Sequence, residues 1–144
     1  MYDLRSLNNI RRIIVHHTAG ASNGSTTAIA SYHVSKGWPG IGYTYLIDGT
    51  GRIEQVNYHT TISYHAAYNN DDSIGVSLKG SFVGNLQPPD AQLDAAAWLI
   101  SKLKGELNIV EVLGHKETDW AQQPGNGTQC PGDTWELWRG RVGA

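Results

Sequence analysis

The residues best able to do chemistry in this sequence are three of its histidines and its single cysteine. His16 and His17 end a short apolar run, His115 ends another, and Cys130 follows His115 in a loop rich in Gly and Pro. A catalytic zinc ion is bound by imidazole nitrogen and thiolate sulfur, with three protein ligands and a fourth position left for water. One histidine of the first run, His115 and Cys130 would supply such a ligand set.

The spacing alone leaves other interpretations open. Cys130 is also compatible with a buried filler, or with the nucleophile of a Cys-His hydrolase, which needs an adjacent base and an activated thiolate. Side chains alternate across a strand, so His16 and His17 should point to opposite faces, and at most one faces a given site. No compact zinc-finger spacing is present.

The first half of the chain predicts a strand, a helix and a hairpin. The β-branched run before His16 favours a buried strand. A short helix follows, begun by Ser25 or Thr26 as N-cap and stopped at Gly37. Two β-rich runs around residues 48–51 predict a hairpin. Three helix residues share one face at i, i+3, i+4 spacing: Ile29, Tyr32 and His33.

The second half predicts a strand at SIGVSLKG, a long helix, and a strand that ends at His115. Asp133 and Glu136 have the spacing of a capping box, which predicts a short terminal helix. The order of elements predicts an α/β fold in one domain, residues 1–144, with a central mixed β-sheet flanked by α-helices. The long helix is defined by one apolar stripe: Leu93, Ala96, Ala97, Ile100, Leu103 and Leu107.

Composition narrows the choice of partners and location. Lys and Arg number 11 against 13 Asp and Glu, and no run of like charge occurs, so neither nucleic acid nor an anionic membrane is an expected partner. One cysteine excludes an internal disulfide. The N-terminal residues lack the apolar stretch of a signal peptide. We expect a monomer that is made in the cytoplasm.

Five blocks of sequence occur in one order: IIVHHTAG, GWPGIGYTYLIDGTGRIEQV, HAAYNNDDSIGVSLKG, LGHKE and TQCPGD. In this the chain resembles the zinc-dependent N-acetylmuramoyl-L-alanine amidases, in the branch that holds bacteriophage lysozyme-type amidases, bacterial autolysin domains and animal peptidoglycan recognition proteins. The resemblance covers nearly the entire chain. It implies hydrolysis of the amide between N-acetylmuramic acid and L-alanine in peptidoglycan, by an endolysin or autolysin that is phage-encoded or released at lysis and acts on the cell wall.

The resemblance also implies the site. One Zn²⁺ would be bound by His16, His115 and Cys130, and Tyr43, from the IGY block, would be a catalytic residue beside the metal. Thr128 occupies the second catalytic position, where phage members commonly have lysine.

Two further residues, His65 and Asn69, are implied to bind substrate. Some relatives carry a glutamate as general base in the strand after SIG, whereas this strand offers only Ser77 nearby, so that version of the mechanism is not expected. His17 and His33 are interpreted as structural residues, one on the back face of a strand and the other in a helix stripe.

The five tryptophans divide into two groups. Trp98, Trp135 and Trp138 are expected to pack in the interior or between helices, while Trp38 and Trp120, in loops, are candidates to line the cleft. Two rival functions remain: a peptidoglycan-binding module without catalysis, and the thiol hydrolase.

Overall fold

One five-stranded mixed sheet forms the centre of the protein in a computed structural model that describes residues 1–144. The strand order is β3-β2-β4-β1-β5, and only β3 runs antiparallel to its neighbour. The predicted mixed sheet is confirmed. The strands are β1 (Arg12–His17), β2 (Tyr45–Ile47), β3 (Ile53–Gln55), β4 (Ser73–Leu78) and β5 (Glu111–Gly114).

Four α-helices and three short 3₁₀ segments accompany these strands; α1, α2 and α4 occur in the predicted order, whereas α3 was not predicted. The helices are α1 (Thr26–Ser35), α2 (Asp90–Glu106), α3 (Asp119–Gln122) and α4 (Trp135–Trp138). The 3₁₀ segments are Leu7–Asn9, His115–Glu117 and Gly140–Val142. None of the helices combines the length and the apolar character that crossing a membrane requires.

The main core lies between one face of the sheet and the helices α2 and α4. Trp135 and Trp138 are almost completely buried there, as predicted, and their rings meet edge to face. Burying one large aliphatic side chain stabilises a fold by roughly 1.5–3 kcal/mol, so this layer fixes the sheet against the helices. The sheet and α2 contribute Ile13, Val15, Ile74, Val76, Leu78, Leu93, Ala96, Leu99, Ile100 and Leu103.

Three expectations about individual residues are wrong. Trp98 is 60% exposed, because it lies on the outer face of α2 rather than toward the sheet. Tyr32 is 62% exposed, since α1 buries only His33. Asp133 does not cap α4: its carboxylate accepts hydrogen bonds from the backbone N–H groups of residues 84 and 85 instead.

The opposite face of the sheet is the one that positions polar side chains. β1 and β5 are parallel neighbours, and Val15 pairs with Gly114. The next residue on each chain is a histidine, so the register brings His16 and His115 side by side where the two strands end.

Candidate metal centre

His16, His115 and Cys130 meet at this end of the sheet. Their ligand atoms all lie within 4.8 Å of one another. The Sγ atom of Cys130 is 3.5 Å from Nδ1 of His16, and the two imidazole rings have centroids 4.6 Å apart. The structure therefore assembles a His-His-Cys set from positions 114 residues apart in the chain.

The chemistry of this set fits a zinc ion. Ligands at zinc distances in a tetrahedron lie about 3.3–3.8 Å apart, and the separation between Cys130 and His16 is 3.5 Å. Burial lowers the pKa of His16 well below its usual value, which keeps the imidazole neutral, as metal ligation requires. Burial also raises the pKa of the Cys130 thiol to about 12, so a thiolate here needs a cation beside it.

The loop around Cys130 is fixed by its backbone. The N–H of His17 donates to Sγ of Cys130 at 3.4 Å, and the N–H of Lys116 donates to the Cys130 carbonyl at 2.8 Å. The hydroxyl oxygen of Thr128 accepts from the Cys130 N–H at 3.2 Å, and the peptide bond to Pro131 is cis. The cysteine is thereby attached to both histidine-bearing segments.

Gly114 sets the path of the chain into His115. A Cβ atom at this position would lie 2.8 Å from the Trp135 ring and 2.9 Å from Cδ of Pro131. The Glu117 carboxylate accepts hydrogen bonds from the Gly114 N–H at 2.8 Å and from the Trp135 indole N–H at 2.7 Å. The buried tryptophan of the core thus braces the turn that carries a metal ligand.

A hydrogen-bond chain behind His16 determines which of its nitrogens faces the metal position. The Ser73 hydroxyl donates to the carbonyl of Asn69, and its oxygen lies 3.1 Å from Nε2 of His65. That oxygen therefore accepts from Nε2–H of His65. Because a neutral imidazole carries only one N–H, Nδ1 of His65 is an acceptor, and it accepts from Nε2–H of His16 at 2.9 Å. Nδ1 of His16 is left unprotonated and points to Cys130, the arrangement that orients a metal-binding histidine.

His65 is buried against the middle of β4. A Cβ atom on Gly75 would lie 2.8 Å from the His65 ring, so only glycine leaves room for it. Burial, with His115 nearby, lowers the pKa of His65 to about 3 and keeps the ring neutral. Both ring nitrogens are bonded within the protein. A direct contact of His65 with substrate stays a prediction.

Asn69 lies at the rim of the site. Its Oδ1 accepts from the Arg12 guanidinium at 3.3 Å, and its Nδ2 donates to the Ala67 carbonyl at 3.1 Å. The side chain also lines a small pocket with Tyr68 and Trp120. Its predicted role in substrate binding is likewise untested.

Tyr43 stands beside His16, with ring centroids 5.3 Å apart. Its backbone is held by Asn57, whose Nδ2 donates to the carbonyls of Ile41 and Tyr43 at 2.9 and 2.7 Å. Burial, with Cys130 nearby, raises the pKa of the phenol to about 12. The hydroxyl is therefore a proton donor throughout the neutral range.

His33 supports the turn that carries Tyr43. Its Nδ1 accepts from the Gly42 N–H at 2.9 Å, and its ring packs against Tyr43 and Trp38, with centroids 5.4 and 4.7 Å away. Gly42 must be glycine, because a Cβ atom would lie 2.0 Å from the Tyr64 carbonyl oxygen. The structural role predicted for His33 is confirmed, but its support of Tyr43 was not foreseen.

His17 and Ser77 occupy positions that agree with the sequence. Nδ1 of His17 accepts from the backbone N–H of Phe82 at 3.2 Å, on the opposite side of β1 from His16. Ser77 pairs with His16 in the β4 register and is fully buried, so the strand presents a hydroxyl rather than a carboxylate.

The metal centre opens into a cavity of about 670 Å³ lined in part by Tyr43, Thr128 and Trp38. A groove of about 460 Å³ adjoins it, shares Thr128 and Trp38 with it, and adds Trp120. The prediction that Trp38 and Trp120 line the cleft is confirmed. Two residues at the site were missed: Lys36, which lines both spaces, and Gly75, whose place inside a strand was the available signal of a close approach.

A His-His-Cys set that could hold a metal ion thus lies at the end of the sheet, beside a tyrosine and an open cleft. The chain belongs to the N-acetylmuramoyl-L-alanine amidase family, whose sequence model matches residues 6–133. The resemblance noted from the sequence is therefore confirmed.

Individual proteins agree with this assignment. The chain is 31% identical to peptidoglycan-recognition protein SC1a of Drosophila melanogaster, over 92% of this chain and 77% of that protein. It superposes on the N-acetylmuramoyl-L-alanine amidase LysC from Clostridium intestinale URNW with a TM-score of 0.81 and 26% identity, covering 99% of this chain and 92% of that one. For the endolysin of Thermus scotoductus bacteriophage Ph2119 the TM-score is 0.78, with 29% identity and coverages of 99% and 90%.

Proposed function

We propose that this protein is a zinc-dependent amidase that hydrolyses the bond between the lactyl group of N-acetylmuramic acid and the L-alanine of the peptidoglycan stem peptide. The observation that carries the proposal is the complete ligand set of His16, His115 and Cys130 within 4.8 Å, with the Tyr43 ring beside it. When bound, zinc would lower the pKa of a water molecule to about 7 and polarise the scissile carbonyl.

Tyr43 is the principal donor to the developing oxyanion. Its pKa of about 12 keeps the proton on Oη at neutral pH, and the residue lines the metal cavity from a turn that is braced by His33. A donor that is already oriented toward developing charge needs no reorganisation during the reaction, and loss of one such donor costs about 10²–10³ in rate.

Thr128 is the second donor. Its oxygen accepts from the Cys130 N–H, which leaves the hydroxyl proton free to point into the cleft. Unlike lysine, threonine brings no positive charge, so we assign Thr128 a smaller share of oxyanion stabilisation than Tyr43.

Two alternative functions have less support than the amidase. The name of the relative SC1a, a peptidoglycan-recognition protein, favours a binding module without catalysis. A binding module, however, would have no need of a complete metal-ligand set. A thiol hydrolase needs a thiolate, whereas burial raises the pKa of Cys130 to about 12.

Digestion of purified peptidoglycan tests the proposal. We expect free stem peptides that begin with L-alanine and no new reducing sugars. A chelator should abolish their release and zinc should restore it. Activity that survives the chelator but is abolished by thiol alkylation would overturn the proposal in favour of the thiol hydrolase, and binding to peptidoglycan with no release of peptides would favour the binding module.

We also propose that the protein is made in the cytoplasm as a monomer and reaches the cell wall at lysis. The likeness to a bacteriophage endolysin supports this route. Fractionation of producing cells before and after lysis, together with light scattering of the purified protein, would test both parts.

A further inference from the structure

Two aromatic side chains, one exposed and one half-buried, form a pair at the edge of the cleft. Tyr68, in the loop before β4, and Trp120, in α3, have ring centroids 4.5 Å apart and ring planes inclined at 48°. Tyr68 is 80% exposed. Neither ring is used by the metal centre, and burial in the core explains neither of them.

The loop holds Tyr68 in an uncommon conformation. Its φ is +64°, in the left-handed region that large side chains rarely adopt. Asn70 fixes the start of this loop, since its Oδ1 accepts from the N–H groups of His65 and Ala66 at 2.9 and 2.8 Å. Asn69, the residue that follows Tyr68, donates its backbone N–H to the Ala66 carbonyl at 2.9 Å. The exposed ring is therefore presented by a defined backbone.

The pair borders a pocket of about 400 Å³, whose other lining residues are Asn69, Asp119 and Gln123. Amide and carboxylate groups can hydrogen-bond hydroxyls and acetamido groups, while an aromatic face packs against the C–H face of a sugar ring. No cation lines the pocket. A neutral sugar suits these groups better than the acidic end of a peptide.

The pocket is continuous with the cleft. Trp120 also lines the adjoining groove, which shares His115 and Thr128 with the metal cavity. The cation of this cleft, Lys36, lies on the groove and the metal cavity but not on the aromatic pocket. Charge thus separates a part of the cleft suited to an acidic stem peptide from a part suited to glycan.

We propose that the Tyr68–Trp120 pocket binds an N-acetylhexosamine ring of the glycan strand, next to the muramoyl residue whose amide lies at the metal centre. This inference rests on the proposed function. It makes the protein sensitive to glycan length as well as to the scissile bond.

Direct binding tests the inference independently of catalysis. The intact protein is titrated with N-acetylchitotetraose, a glycan without any stem peptide, and binding is followed by calorimetry. The variants are Trp120→Ala and Tyr68→Asn, because asparagine tolerates the left-handed conformation. Trp98→Ala is the matched control, since Trp98 is an exposed tryptophan on the other side of the sheet.

We expect each cleft variant to bind about tenfold more weakly, which corresponds to about 1.4 kcal/mol, and Trp98→Ala to bind as the wild type does. Trp120→Phe should recover part of the loss. Equal affinities in all variants, or no binding by the wild type, would overturn the inference.

Turnover separates a binding role from a structural one. In the two cleft variants the ratio of kcat/KM on long-chain peptidoglycan to kcat/KM on a muramoyl tripeptide should fall about tenfold, the effect of 1.4 kcal/mol. An equal loss on both substrates would mean that the pair only supports the fold and would overturn the inference. If the protein binds chitotetraose through the pocket but cleaves neither substrate, the proposed function fails while the inference stands.

Discussion

Nε2 of His16 lies 2.9 Å from Nδ1 of His65, and this contact makes a buried histidine the partner of a candidate metal ligand. Outer partners of this kind fix the tautomer and orientation of the ligand, and their loss typically costs about 10–100-fold in metal affinity. We predict that His65→Ala weakens zinc binding by about that factor, measured by competition with a chromophoric chelator. Unchanged zinc affinity in a folded variant would contradict this role.

A substitution at Gly75 also tests the contact between His65 and His16. In Gly75→Ala the new Cβ would lie 2.8 Å from the His65 ring, so the ring must move away from His16. We predict weaker zinc binding and a loss of about 1–3 kcal/mol in the free energy of unfolding. The control is Gly105→Ala, where nothing lies within 4 Å and a helical alanine should stabilise by about 0.5–1 kcal/mol. If the two alanine variants behaved alike, the steric explanation would be wrong.

Tyr43→Phe removes the hydroxyl but keeps the ring that packs between His16 and His33. We predict a fall in kcat of about 10²–10³ with the zinc content unchanged, because the phenol acts on the reaction rather than on the metal. Steady-state kinetics and metal analysis on the same preparation check this. A variant with wild-type kcat would remove Tyr43 from the mechanism.

Zinc should stabilise the folded protein through Cys130. A ligand that binds only the folded state adds about 2.7 kcal/mol to the free energy of unfolding at a concentration 100 times its Kd. We predict that zinc raises the Tm of the wild type and that Cys130→Ser largely loses this increase. Scans with chelator give the metal-free baseline of each protein. Equal zinc-dependent shifts would exclude Cys130 as a ligand.

Acid should destabilise the metal-free protein through its histidines. The pKa of every histidine is lowered, in each case chiefly by burial: His16, His17, His33, His59, His65 and His115. Below about pH 6.5 the unfolded chain then binds more protons than the folded one, so the free energy of unfolding falls as the pH falls.

Chemical denaturation between pH 8 and pH 5.5 measures this dependence. His33→Gln should show a shallower slope, because protonated His33 can no longer accept from the Gly42 N–H through Nδ1. A free energy of unfolding that is constant over this range, or that rises toward acid, would contradict the prediction.

The sequence predicts much of this structure because its strands and its long helix carry strong local patterns. The run before His16 becomes β1, and the strand that ends at His115 becomes β5. Their parallel pairing follows from neither pattern alone, since register is set by the packing of both strands on a shared core. The local pattern predicted the wrong role for residues whose contacts depend on tertiary structure. Asp133 accepts hydrogen bonds from the loop at residues 84 and 85 instead of capping α4, and Trp98 faces away from the sheet.

The sequence predicted some residues of the candidate site but not the contacts between them. Spacing and side-chain chemistry indicated His115 and Cys130, and the resemblance selected His16 over His17. The bond from His65 to His16 was not foreseen, because a loop histidine gives no sign in the sequence of where its ring will lie. The Tyr68–Trp120 pair was missed for the same reason, since its members come from separate segments, the loop before β4 and helix α3.

The order of the strands has a consequence for biosynthesis. β1 is translated before both of its neighbours, which are β4, beginning at Ser73, and β5, beginning at Glu111. An apolar, β-branched strand therefore leaves the ribosome long before either partner exists, and pairing over such separations is slow and exposes the chain to aggregation. The candidate metal ligands cannot come together until Cys130 has also emerged, 114 residues after His16.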